Sequence, residues 1–246
     1  MRRILVWAAV AALSVPMTAQ ADVTFMNKDT GGIGETNILF NAGDTGSPIF
    51  GEIDHTGVNV AFSSLTGQSL VSTSNGQADL QAFPNPGNTL MTSIDMLAAT
   101  GTAWGDVIIN MDDAGNPCGG GSNTCGTAHI TAFDNLGNRF EDDVLSNGNN
   151  FVTAQTVAGS NEFITEIEVV ELPGETNPNF GWTDFKQPRV SDTCTLQPNG
   201  SCTLIPVVPE PATLTLLGSG ILILGSFSMM RLRKTRWHRA TESAAA

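Results

Sequence analysis

No residue between Ala212 and Met230 carries a charge, and the run is followed at once by Arg231-Leu232-Arg233-Lys234-Thr235-Arg236. As a helix these 19 residues rise about 28 Å, close to the roughly 30 Å hydrocarbon core of a bilayer. A helix on the surface of a soluble domain needs a strongly polar face, and this one has no charged position to offer. The basic cluster Arg231, Arg233, Lys234 and Arg236 resists translocation and holds its end on the cytoplasmic side. A transmembrane helix over 212–230 is therefore expected, with any folded body lying before it.

Directly ahead of that run stands Pro209-Glu210-Pro211. The order of Pro-Glu-Pro, apolar helix and Arg-rich tail over 208–239 resembles the C-terminal sorting signal of the PEP-CTERM proteins of Gram-negative bacteria. Residues 240–246 form a short further tail. The resemblance implies that an exosortase, a membrane cysteine protease-transpeptidase, cuts at or near Pro209, Glu210 and Pro211. It implies a transient inner-membrane anchor, then a place at the cell surface or in the extracellular matrix, with a link to exopolysaccharide and biofilm.

The other end is expected to direct export by the general secretory route. Arg2 and Arg3 precede an apolar stretch from Ile4 to Val15, then Ala19-Gln20-Ala21. This is the arrangement of a signal peptide over 1–21, cleaved between Ala21 and Asp22. The apolar stretch is too short to span a bilayer comfortably.

Charge separates the body from its ends. Seven of the 11 Lys and Arg lie in the two terminal segments, leaving Lys28, Arg139, Lys186 and Arg189 in the body. Against these four stand 22 of the 24 acids, a net charge of about −18. Such a surface repels nucleic acid and anionic lipid, so neither is expected as a partner of the body.

Alternating apolar positions with Gly, Asn, Asp and Pro punctuation run through the body, as in Val58-Asn59-Val60-Ala61-Phe62 and Phe163-Ile164-Thr165-Glu166-Ile167-Glu168-Val169. Period-two alternation marks half-buried strands. Leu90–Ala99 reads equally as a short helix or a strand. The expectation is an all-β, jelly-roll-like β-sandwich over 22–191. A Thr/Pro/Ser-rich linker is expected over 192–207. Gly126–Val190, closing on Trp182-Thr183-Asp184-Phe185, also resembles the last half of galactose-binding-like and lectin-like sandwiches.

Four cysteines in an exported chain are expected to form two disulfides. Three connectivities exist. The short, turn-rich loops between Cys118 and Cys125, and between Cys194 and Cys202, favour local pairing. Spacings of C-x6-C and C-x7-C lack the C-x2-C knuckles of a zinc site.

Catalytic signals are sparse. The body holds His55 and His129 but no H-E-x-x-H or G-x-S-x-G. His55 follows Asp54, and adjacent strand residues point to opposite faces, so no dyad is expected there. No cofactor is expected; the one metal that the acids suit is Ca²⁺, at Asp112 and Asp113 or at Asp142 and Asp143. Sugar sites stack on exposed aromatics, and the body has no Tyr and only Trp104 and Trp182. The expectation is a non-enzymatic surface or matrix protein whose partners are exosortase, the inner membrane and exopolysaccharide. The alternative is a secreted glycan-binding protein or glycan hydrolase.

Overall fold

The computed structural model describes residues 23–206, apart from 28–33, 74, 78, 85, 87–88, 114–126, 158–159 and 173–180. Eighteen strands and no helix occur among the described residues. In chain order they are β1 (Val23–Asn27), β2 (Thr36–Phe40), β3 (Thr45–Gly46), β4 (Ile49–Ile53), β5 (Val58–Ser63) and β6 (Leu70–Ser72). Next come β7 (Gly76–Gln77), β8 (Asp79–Ala82), β9 (Ser93–Ala98), β10 (Thr102–Ala103), β11 (Asp106–Asp113) and β12 (Thr127–Asp134). The last six are β13 (Arg139–Leu145), β14 (Asn147–Thr156), β15 (Ile164–Glu171), β16 (Trp182–Ser191), β17 (Cys194–Leu196) and β18 (Cys202–Leu204).

The all-β expectation holds. The ambiguous stretch around Leu90–Ala99 is strand β9, whose buried Ile94, Met96 and Ala98 face the interior while Leu97 stays exposed. The two layers of a sandwich, however, are joined here into one antiparallel sheet. Its path is β1-β14-β11-β16-β2-β4-β5-β9-β15-β12-β13, with β3, β6, β7 and β8 attached at the side. The join is made by β2, which pairs with β16 through Asn37 and Thr36 and with β4 through Ile38 and Leu39. Its two ends, β1 and β13, lie beside one another, so the sheet nearly closes into a barrel. Closure limits the exposed edges on which strands aggregate.

Two tryptophans pin the opposite walls. Trp182 exchanges backbone hydrogen bonds of 2.7 and 2.9 Å with Met91, just before β9. Trp104 exchanges a pair of 2.8 Å with Ile164 at the start of β15. Both side chains are fully buried. Gly181 permits the first contact: a Cβ there would meet Leu90 Cβ and the Met91 carbonyl at 2.7 Å, and its φ is +137°. Around them Phe40, Phe62 and Phe185 stack at ring separations of 5.1 and 6.2 Å. In β4, buried Ile49, Gly51 and Ile53 alternate with exposed Phe50 and Glu52. Gly51 is needed because a Cβ would meet Ile38 Cγ2 at 2.5 Å and the Phe40 ring at 2.9 Å.

Candidate functional site

The stretch read as a linker, 192–207, is corrected by the structure: as far as Pro206, where the described residues end, it belongs to the folded body. β17 and β18 form an antiparallel hairpin in which Cys194 faces Leu204, Thr195 faces Thr203 and Leu196 faces Cys202. The outer side of β17 pairs with β10, giving a small three-stranded sheet. Cys194 and Cys202 are bonded, with Cα atoms 5.5 Å apart, within the ordinary span for a disulfide. Asn199 Oδ1 closes the turn by accepting from the Ser201 amide at 3.1 Å and its hydroxyl at 2.7 Å. Composition misled because Thr, Pro, Asn and Ser suit a solvated linker and a tight hairpin equally. The covalent closure decides between them. Cys118 and Cys125 lie outside the described residues.

The hairpin is the end of the body nearest the C-terminal segment. The Ile205 amide still donates to the Thr193 carbonyl at 2.8 Å. Only Pro206, Val207 and Val208 separate it from Pro209. Pro209, Glu210, Pro211, the run 212–230 and the cluster Arg231, Arg233, Lys234 and Arg236 lie outside the described residues, as do Ala19, Ala21 and Asp22.

A second feature, on the outer face of the barrel wall, was not singled out in the sequence. Asp95 of β9 lies opposite Glu168 of β15 and opposite Ser63 of β5. The Ser63 hydroxyl donates to Asp95 Oδ2 at 3.0 Å, while buried Asp95 Oδ1 has no partner. Glu166, opposite Leu97, is the diagonal neighbour of Asp95. Burial pushes the Asp95 carboxyl above the usual range, against hydrogen bonds from Ser63 and Glu166 that lower it. Burial also raises Glu166, helped by the negative charges of Asp95 and Glu168. Such a pair can hold one proton between two carboxyl groups. Its members come from strands 71 positions apart in sequence, so only the fold brings them together.

His129 forms a third polar group. Its Nδ1 lies 2.8 Å from Asp143 Oδ1 and its Nε2 lies 3.5 Å from Glu141 Oε1, while Arg139 also meets Glu141. The hydrogen bond to Asp143 raises the imidazole pKa. Asp142 Oδ1 accepts from the Asp143 amide at 2.9 Å, and the two acids are consecutive on β13, so their side chains leave the strand on opposite sides. Asp112 and Asp113 end β11 at a register shift, opposite Asp184 and Trp182. Among the described residues no three His, Cys, Asp or Glu side chains converge as metal ligands.

Two further sequence readings meet the structure here. Asp54 and His55 lie in the turn between β4 and β5 rather than on a strand, with His55 at φ 60°, so their side chains do approach, 3.3 Å apart. The alternation rule fails because it applies only to extended backbone. Trp104 and Trp182 line no groove: both are fully buried, with indole nitrogens that have no hydrogen-bond partner.

Residues 207–234 match the family model described as the PEP-CTERM protein-sorting motif. The chain therefore carries that motif, over nearly the span expected from Pro209-Glu210-Pro211 and the apolar run. No curated protein and no solved structure matches the chain.

Proposed function

We propose that this is an exported protein that an exosortase releases from the membrane by cutting at or near Pro209-Glu210-Pro211. Its all-β body then acts at the cell surface or in the extracellular matrix without catalysing a reaction. The motif over 207–234 carries this reading, since it implies export, a transient membrane anchor and an exosortase as processing enzyme. The rest is supported by physical argument. An acidic body of about −18 suits a solvated exterior and opposes nucleic acid or anionic lipid. The jelly-roll-like and lectin-like resemblances, the signal peptide over 1–21 and the helix over 212–230 belong to the same proposal, as does association with exopolysaccharide and biofilm.

The test follows the two ends of the chain. In an exosortase-bearing host, mass spectrometry should find a mature N-terminus at Asp22 and no Arg231–Arg239 peptide on the released protein. In a host without the enzyme the basic tail should persist on a membrane-held precursor. A tail retained in both hosts would sink the processing assignment.

The alternative reading, a glycan hydrolase, is not favoured by the Asp95–Glu166 pair: the two carboxyl groups hydrogen-bond to one another, whereas glycoside hydrolysis needs its two acids about 5–9.5 Å apart. Reducing-sugar release by the purified body, abolished by a single Asp or Glu substitution with an unchanged melt, would establish that alternative. Burial of both tryptophans weighs against sugar stacking at those positions.

A further inference from the structure

The folded hairpin ends so close to the sorting motif that any enzyme acting there must work against it. From Ile205, the last residue held by a described backbone hydrogen bond, to Pro209 is four Cα steps, a reach of roughly 14 Å at full extension. From Ile205 to Ala212, where the apolar run begins, the reach is roughly 25 Å. The disulfide between Cys194 and Cys202 keeps this distance short. Without it β18 could peel from β17 and lengthen the free segment back to the turn at Pro198.

The same end presents an unused edge and an apolar side chain. Among the described residues β18 pairs with β17 alone, and it is the outermost strand of the small sheet. Leu204, at 60% exposure, is the most exposed large hydrophobic residue described. Thr203 beside it is also exposed. Enzymes that bind peptides in extended form add the substrate to a sheet edge, and main-chain hydrogen bonds then extend beyond the recognised motif. β18 is already extended and runs directly toward that motif.

We propose that the disulfide-braced β17–β18 hairpin is a second recognition surface for the exosortase, which continues the free edge of β18 and covers Leu204. This rests on the processing assignment made above and adds a contact on the folded body to it. The disulfide then acts as a ruler that fixes the spacing between surface and motif.

Pulse-labelling of the full chain in an exosortase-bearing host, followed by loss of the basic tail, tests the proposal. Two variants keep the motif intact: Leu204→Asp, and a six-residue Gly/Ser insertion between Pro206 and Val207. Each should slow tail loss about tenfold, the scale of one buried leucine contact, while the melt of the released body stays at the wild-type value. A Cys194→Ser/Cys202→Ser chain should slow in the same way. Wild-type processing rates in either the Leu204→Asp or the insertion variant would overturn the hairpin contact. If the unaltered chain itself kept its tail, the processing assignment would fall instead, so the two failures are distinct.

Discussion

His129 Nδ1 and Asp143 Oδ1 sit 2.8 Å apart across the β12–β13 ladder, where the two residues are register partners. The contact places an imidazole beside an acid at the end of the sheet path, where β13 approaches β1.

Its pKa consequence is signed. Because Asp143 favours the imidazolium, the folded-state pKa of His129 lies above its unfolded value. The stabilisation is thus complete below the ordinary histidine pKa of about 6.5 and is lost as pH rises through the folded value. Denaturant unfolding of the body at a series of pH values should show this decline, and His129→Ala should remove it. A pH slope identical in the two proteins would refute the assignment.

Asp95 and Glu166 contribute a separate window with the same sign. Both folded-state pKa values are raised, chiefly by burial, so the fold favours their protonated forms. Stability should be highest where both are protonated and should fall as pH rises from about 4, the ordinary carboxylate value, through the raised ones. The Asp95→Asn/Glu166→Gln double variant should be flatter across that window and more resistant to urea at neutral pH. Loss of urea resistance at neutral pH would count against a strained acid pair.

Gly51→Ala should destabilise the body by about 1–3 kcal/mol, the usual range for overpacking. Its methyl group would enter space held by Ile38 and Phe40. A shift of the denaturation midpoint with an unchanged m-value is the expected reading. An unaltered midpoint would mean that β2 moves aside at no cost.

Intrinsic fluorescence gives an independent check on the core. In the chain from Asp22 to Val208 the only tryptophans are Trp104 and Trp182, and both are fully buried. Emission should be blue-shifted, and acrylamide should quench it weakly. Trp182→Ala should cost about 3–5 kcal/mol, as deletion of a large core side chain does. Strong quenching, or a change in emission on adding oligosaccharide, would place an indole at the surface.

Strand alternation made the all-β class legible, because it reflects the side of a sheet each residue faces and needs no knowledge of partners. Ile167 and Val169 are buried in β15 with Glu168 turned away, as their pattern implies. Partnership was not legible. Nothing near Asp95 announces Glu166, since cross-strand neighbours are set by register. Asp54 and His55 were misjudged because a turn abolishes the alternation that a strand enforces. The hairpin at Cys194–Cys202 was hidden for another reason: a polar sequence becomes ordered when a covalent link limits the unfolded chain. The sorting motif was readable throughout, because its meaning lies in linear order rather than in folding.

Thr24 donates to the Gln155 carbonyl from 131 positions away, and β1 pairs along its whole length with β14. A chain that emerges N-terminus first, from a ribosome or through a membrane pore, presents β1 long before its partner exists on the same side. Such non-local pairing slows folding, since loop closure must precede any reward from contact. The pairing of β1 with β14 is therefore also a timer: the first strand waits without that partner until most of the body has been made.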